Sequence, residues 1–129
     1  MPEQDTFQVA VKGLNFNLDG KVLMIKDDQG EWDLPGGRIN HGENLPQALE
    51  RECDEELGVK PRIIDSKIIV WSGQNTDGAW RVDICYQIEF ADTNFKLSSE
   101  NVEHGYFNGE EARKLKISSH LNGLKEIFP

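Results

Sequence analysis

Apolar and polar positions alternate from Phe7 to Lys12, with Phe7, Val9 and Val11 on one side and Gln8, Ala10 and Lys12 on the other. A period of two predicts a strand with one face on a core. Asp19-Gly20 is a turn signal, and KVLMI (21–25) predicts the returning strand. EWDLPGG then leads into a loop, after which the period changes. Leu45, Ala48, Leu49 and Leu57 fall at helical spacing and predict a helix over 45–57. Asn44 can cap its start, Gln47 three residues on completes a capping box, and Gly58 suits the left-handed residue that ends it. KIIVW (67–71) and WRVDICYQIEF (80–90) predict two more strands joined by the hairpin-like SGQNTDGA. In the second, Val82, Ile84, Tyr86, Ile88 and Phe90 share the expected core face, and Asp83, Cys85, Gln87 and Glu89 take the other. VEHGYF (102–107) predicts a short strand. Asn108 with Glu111 predicts a helix to about Lys116, and Ser119 starts a last helix carrying Leu121, Leu124 and Phe128. Strands and helices mixed in this order predict an α+β or layered α/β/α domain.

The totals narrow the function. The chain has 129 residues, one domain's worth (1–129), with no repeat or linker composition. No apolar run is long enough to span a membrane, and the first residues lack a basic-then-apolar signal pattern. Two cysteines without a CxxC spacing, Cys53 and Cys85, predict free thiols and a cytoplasmic setting. A formal net charge of -9 repels nucleic-acid backbones, which argues against a duplex partner. A small phosphorylated ligand remains open only if a cation mediates the contact.

The helix over 45–57 supplies a place for that cation. On a wheel with Ala48 at zero, Leu45 falls near 60° and Leu49 near 100°, while Glu52, Glu56 and Glu55 fall at about 40°, 80° and 340°. One stripe is therefore apolar in its first half and anionic in its second. Crowded carboxylates on a partly buried surface cost several kcal/mol unless paired, roughly, or else one is protonated. Arg51, the one base in the run from Glu50 to Glu56, cannot neutralise them all. An all-oxygen set of this density suits magnesium or manganese. The bland alternative is a solvated acidic face. A Gly-Gly turn just before the helix favours the metal, because backbone carbonyls can reach the same ion.

These residues resemble the signature of the Nudix hydrolases, G-x5-E-x7-R-E-U-x-E-E-x-G-U with U bulky and apolar. Gly37 opens it, Glu43 follows after RINHG, and Arg51 and Glu52 follow after NLPQALE. Cys53, Asp54, Glu55, Glu56, Leu57, Gly58 and Val59 complete it, Cys53 being smaller than the usual Ile, Leu or Val. WDLPGG and the stretch from Glu103 to Phe107 are similar to the family's layout too. The resemblance implies an α/β/α sandwich around a central mixed sheet, with the signature as a loop–helix–loop, a fold on which homodimers are common. It implies hydrolysis of a nucleoside diphosphate linked to a group X, a small-molecule nucleotide substrate, using Mg2+ or Mn2+. Glu52, Glu55 and Glu56 would be metal ligands with the Gly37 carbonyl, and Glu52 or Glu55 would also activate water. Glu43 and Arg51 would hold loop and helix in register. Glu103 resembles an extra carboxylate used as ligand or base, with Glu100 competing for that role.

Other residues read more plainly. Trp32, Trp71 and Trp80 are core or rim residues, with base stacking as the functional alternative, for which Trp32 is put forward. Arg38 is placed for phosphate or for loop bracing, and Lys12, Arg62 and Arg81 for substrate or ordinary surface. His41, His104 and His120 lack ligand spacing. No G-x-S-x-G or G-x-x-x-x-G-K motif supports serine or P-loop chemistry. Small size favours a (d)NTP pyrophosphatase, against a nucleoside-diphosphate-sugar or ADP-ribose pyrophosphatase or a non-catalytic nucleotide-binding module.

Overall fold

The computed structural model describes residues 4–121 and 124–128. Its elements are β1 (Gln8–Leu14), β2 (Val22–Asp27), β3 (Trp32–Asp33), β4 (Gly36–Arg38), α1 (Leu45–Leu57), β5 (Pro61–Gln74), β6 (Trp80–Phe90), β7 (Asn101–Phe107), α2 (Gly109–Ala112) and α3 (Leu124–Ile127). The strands form two sheets, a mixed one in the order β4-β1-β6-β5 and an antiparallel one in the order β3-β2-β7. In the first, β1 runs parallel to β6 and antiparallel to β4. A parallel pair needs a long crossover, and the stretch between β1 and β6, α1 included, provides it. Among the described residues no helix is long and apolar enough to cross a membrane.

Local chemistry sets α1. Asn44 accepts from the Gln47 N–H while the Gln47 side chain accepts from the Asn44 N–H, so two orphan donors of the first turn are satisfied. Gly58 ends the helix at φ 67° and donates its N–H to the Asp54 carbonyl. Between these caps Ala48, Leu49, Cys53 and Leu57 are buried, packed with Val11, Ile88 and Phe90 of the mixed sheet and with Leu23 and Ile25 of β2. Each of the buried leucines contributes about 2 kcal/mol. A second core lies between the sheets: Leu14, Met24, Trp32, Leu34, Trp71 and Cys85 pack with Leu121 and Ile127.

Three expectations are corrected. EWDLPGG is not all loop, because Trp32 and Asp33 pair with β2 and Gly36 with Lys12 of β1. The helix after Asn108 stops at Ala112, one turn long. Its last bonds tighten, and the chain then extends so that Lys116 and Ser118 bracket Trp32 through two backbone hydrogen bonds. The third correction concerns β6, whose buried face switches midway. Ile88 and Phe90 are buried as expected, under α1, but at the other end Arg81, Asp83 and Cys85 are buried and Val82 and Ile84 are only half-buried. The cause is non-local: the 116–121 segment covers the Arg81–Asp83–Cys85 face there. For the last predicted helix, residues 122 and 123 lie outside the described residues and Leu124–Ile127 is helical.

Candidate active site

The anionic half of α1 opens into a cleft of about 710 Å3 lined by Glu52, Glu55, Glu56, Asp27, Asp28 and Glu100, with Ser98, Ser99 and Asn101. Among the described residues six carboxylates line it and no base does. Backbone bonds assemble these walls: Ser98 donates to the Glu56 carbonyl, Lys96 to that of Leu57, and Asp28 to that of Glu100. The loop before β7 is thereby wrapped around the end of α1 and tied to the β2–β3 turn.

Arg51 organises the cleft's edge. Its Nε and Nη2 donate to the two oxygens of Glu43 at 2.7 and 3.0 Å, and Nη2 also donates to the Arg38 carbonyl at 3.0 Å. Glu43 in turn accepts the Asn40 N–H, so loop and helix are tied through one bidentate pair. Its carboxyl is held below the usual range, first by the Arg51 hydrogen bond and then by the Asn40 one. Through Nη1 the guanidinium also touches Glu52 at 2.9 Å and Glu55 at 3.4 Å. One cation is thus shared among three acids. It leaves Glu56, whose Oε1 accepts the Gly36 N–H at 2.8 Å. Burial pushes the Glu56 carboxyl up to about 8, against the pull of Lys12 and of that hydrogen bond.

Two glycines permit this. A Cβ at Gly36 would sit 2.1 Å from the Val11 carbonyl oxygen, and its φ of +129° excludes other residues as well. A Cβ at Gly37 would fall 2.6 Å from the Glu52 carboxylate. Only a bare Cα lets that carboxylate close on the backbone.

Among the described residues no three acid, His or Cys side chains converge tightly enough to enclose an ion. Glu52 and Glu55 lean instead on Arg51, and Glu56 on the Gly36 N–H. The donor set nonetheless fits a hard divalent cation: all oxygen, crowded, and including a carboxyl that burial pushes up.

Several other predicted residues lie elsewhere. Glu103 does not line the cleft. It stands on β7 opposite Lys26, 3.7 Å from its ammonium, and Glu100 takes the place beside the helical glutamates. Trp32 is buried in the second core, with its ring edge-on to Phe107 at 4.9 Å and the Lys26 ammonium 6.0 Å over it. Arg38 is exposed and meets Arg51 through its carbonyl. Arg81 is buried in a 3.2 Å pair with Asp83, its Nη1 3.0 Å from Nδ1 of His120. Lys12 is buried too, its ammonium 3.0 Å from Asp33. Sequence reading passed over Asp27 and Asp28; their only signal was an acidic turn beside a Gly. It named Lys12 and Arg81 for substrate or surface, put Asp83 on the open face of its strand and found no role for His120, whereas the structure gathers them with Asp33 into one interior polar set.

A NUDIX domain model matches residues 6–124. The chain is 30% identical over 125 residues to an ADP-ribose pyrophosphatase of Methanocaldococcus jannaschii, covering 93% of this chain and 72% of that one. It is 34% identical over 119 residues to the transient receptor potential cation channel subfamily M member 2 of Mus musculus, covering 84% of this chain but only 8% of the channel. Among solved structures, the MutT protein from Methanosarcina mazei Go1 superposes with a TM-score of 0.74 at 22% identity, covering 97% of this chain and 94% of that one, a likeness of fold. With the signature laid out from Gly37 to Val59 on a loop, a capped helix and its left-handed end, the chain belongs to the NUDIX domain family.

Proposed function

We propose that the chain hydrolyses the phosphoanhydride bond of a nucleoside diphosphate linked to a group X, with a divalent cation held in the acidic cleft. What supports this most is the cleft itself, lined among the described residues by six carboxylates and no base, a surface that repels a polyphosphate until a cation intervenes. Glu52, Glu55 and Glu56 would hold magnesium or manganese, with the Gly37 carbonyl beside Glu52. Bound there, the cation neutralises phosphate charge and lowers the pKa of attacking water.

The chain's own residues do the rest. Arg51 and Glu43 keep the Arg38–Glu43 loop against α1, which fixes Gly37 relative to Glu52. Glu55, exposed and with only a long contact to Arg51, is free to accept the proton of water. Glu100, from the loop facing α1, takes the part the family resemblance offers to Glu103. Attack at phosphorus then yields a nucleoside monophosphate and either a phosphorylated X or, from a triphosphate, pyrophosphate.

A nucleoside triphosphate is the first substrate to test. ADP-ribose is the second, favoured by the archaeal ADP-ribose pyrophosphatase that aligns with 93% of this chain. A panel of (d)NTPs, nucleoside-diphosphate sugars, ADP-ribose and dinucleoside polyphosphates, with magnesium or manganese, tests the reading through product release. Turnover of at least one is expected. Binding without turnover on every member would replace the enzyme with a nucleotide-binding module.

A further inference from the structure

The side of the mixed sheet that carries α1 is covered over only part of its length. Val11 and Ile88 pack under α1, so by alternation Val9 and the preceding Phe7, with Trp80, Val82 and Ile84 of β6, point to that same side. Cross-strand pairing adds Ile68, Val70, Ser72 and Gln74 of β5, opposite Tyr86, Ile84, Val82 and Trp80. Val9 lies beside Val82, and the Phe7 ring meets that of Trp80 edge-on at 6.1 Å. The core under α1 takes in Val11, Tyr86 and Ile88 but not Val9, Val82 or Ile84. Beyond it the surface lies open: Phe7 is 48% exposed, Ile68 45%, Val70 56% and Trp80 49%, with Val9, Val82 and Ile84 half-buried among them.

This end of β6 is inside out. On its other side Arg81 and Asp83 are buried, at 5% and 0% exposed, while the apolar side chains face outward. Water favours the reverse arrangement. A half-open Trp and Phe, with the open parts of five aliphatic side chains, amount to roughly 500 Å2, as large as the biggest apolar patch of an ordinary monomer. None of these described side chains is charged, in a chain whose formal net charge is -9. That selects the occupant. A basic partner finds no acid here to pair with, whereas a second copy, repelled across the chain's acidic surfaces, meets no like charge. Two such faces with their rims hide on the order of 1,200 Å2, the area at which specific interfaces begin.

We propose that this face, centred on Val82, joins two copies of the chain into a homodimer. A two-fold axis lying between the faces and across the strands packs sheet on sheet. It sets Trp80 of each copy over Ile84 of the other and leaves the two α1 helices at opposite ends. Each mixed sheet is then covered along its whole length, partly by its own α1 and partly by the second copy.

Sedimentation velocity of the full chain from about 1 to about 100 µM is the test, and it needs neither metal nor turnover. The expected result is a concentration-dependent shift from 14.6 kDa to twice that mass. Val70→Lys and Trp80→Lys each set an ammonium against an apolar partner face. Each is expected to weaken association at least about tenfold, with the chain still folded by circular dichroism. Val102→Lys, at a position as exposed as Val70 but on β7 of the other sheet, is expected to leave association unaltered. A chain that stays monomeric throughout, including one that sediments with neutral phosphatidylcholine vesicles instead, overturns the proposal. So does a dimer indifferent to both Val70→Lys and Trp80→Lys, or one that Val102→Lys weakens as much. Those results leave hydrolysis standing, and failure of hydrolysis on the substrate panel leaves this readout untouched.

Discussion

The protein carries two concentrations of polar groups on either side of the 33–36 turn, and they are out of balance in different ways. In the cleft the imbalance is one of charge: Glu52 and Glu55 share Arg51 with Glu43, and Glu56 is held by the Gly36 N–H and the more distant Lys12 charge. Between the sheets charge is matched acid by base, Lys12 with Asp33 and Arg81 with Asp83, and what is missing is hydrogen-bond partners. A deficit of positive charge is met by a cation, and a deficit of donors and acceptors by a neutral polar group.

The sharpest way to break this contrast is Glu52→Gln. It keeps the shape of the side chain and its place beside Gly37 but removes the charge, so activity on the best substrate is expected to fall about a thousandfold with the melting temperature unchanged. Near-full activity in a kinetic assay would remove Glu52 from the mechanism. Gly37→Ala drives a Cβ into the Glu52 carboxylate. Displacing that group by about 1 Å is expected to cost on the order of a hundredfold in kcat/KM.

The burial of Glu56 also has a signature in stability. Glu56 ionises at about 8 in the fold against an ordinary carboxyl value of 4.5, so the folded state holds its proton more tightly than the unfolded chain. That contribution is complete below the unfolded pKa and is lost as pH rises towards the folded one. In EDTA, stability measured by denaturant titration is therefore expected to decline by about 3 to 4 kcal/mol between pH 5 and 8, and Glu56→Gln to flatten the decline. Glu43, held low by Arg51, acts in the opposite sense and only in acid, so it leaves this window clear. The smallest effect belongs to the cap: Asn44→Ala is expected to cost about 1 kcal/mol by thermal melting, with hydrolysis retained.

How far the sequence foretold each region follows from how local its physics is. Helix α1, its capping box at Asn44 and Gln47, and its end at Gly58 depend on neighbours within four residues and were legible. The acidic half was legible for the same reason, being a matter of helical phase. Glu100 and Glu103, by contrast, differ by three positions in a chain leaving a loop; which one meets the cleft depends on Ser98 and Lys96 binding the end of α1, a contact with no local trace. Asp83 was assigned to the open side of an alternating strand. It is buried because a segment some thirty-five residues later covers that face, and alternation cannot reveal what will lie on top.

Calorimetric titration of MgCl2 or MnCl2 into the chelator-treated protein measures the missing charge directly. The account predicts saturable binding that is weaker by about tenfold or more in Glu52→Gln and Glu56→Gln, both of which remain folded. A folded wild-type protein that takes up neither ion, or binding indifferent to both substitutions, would contradict it.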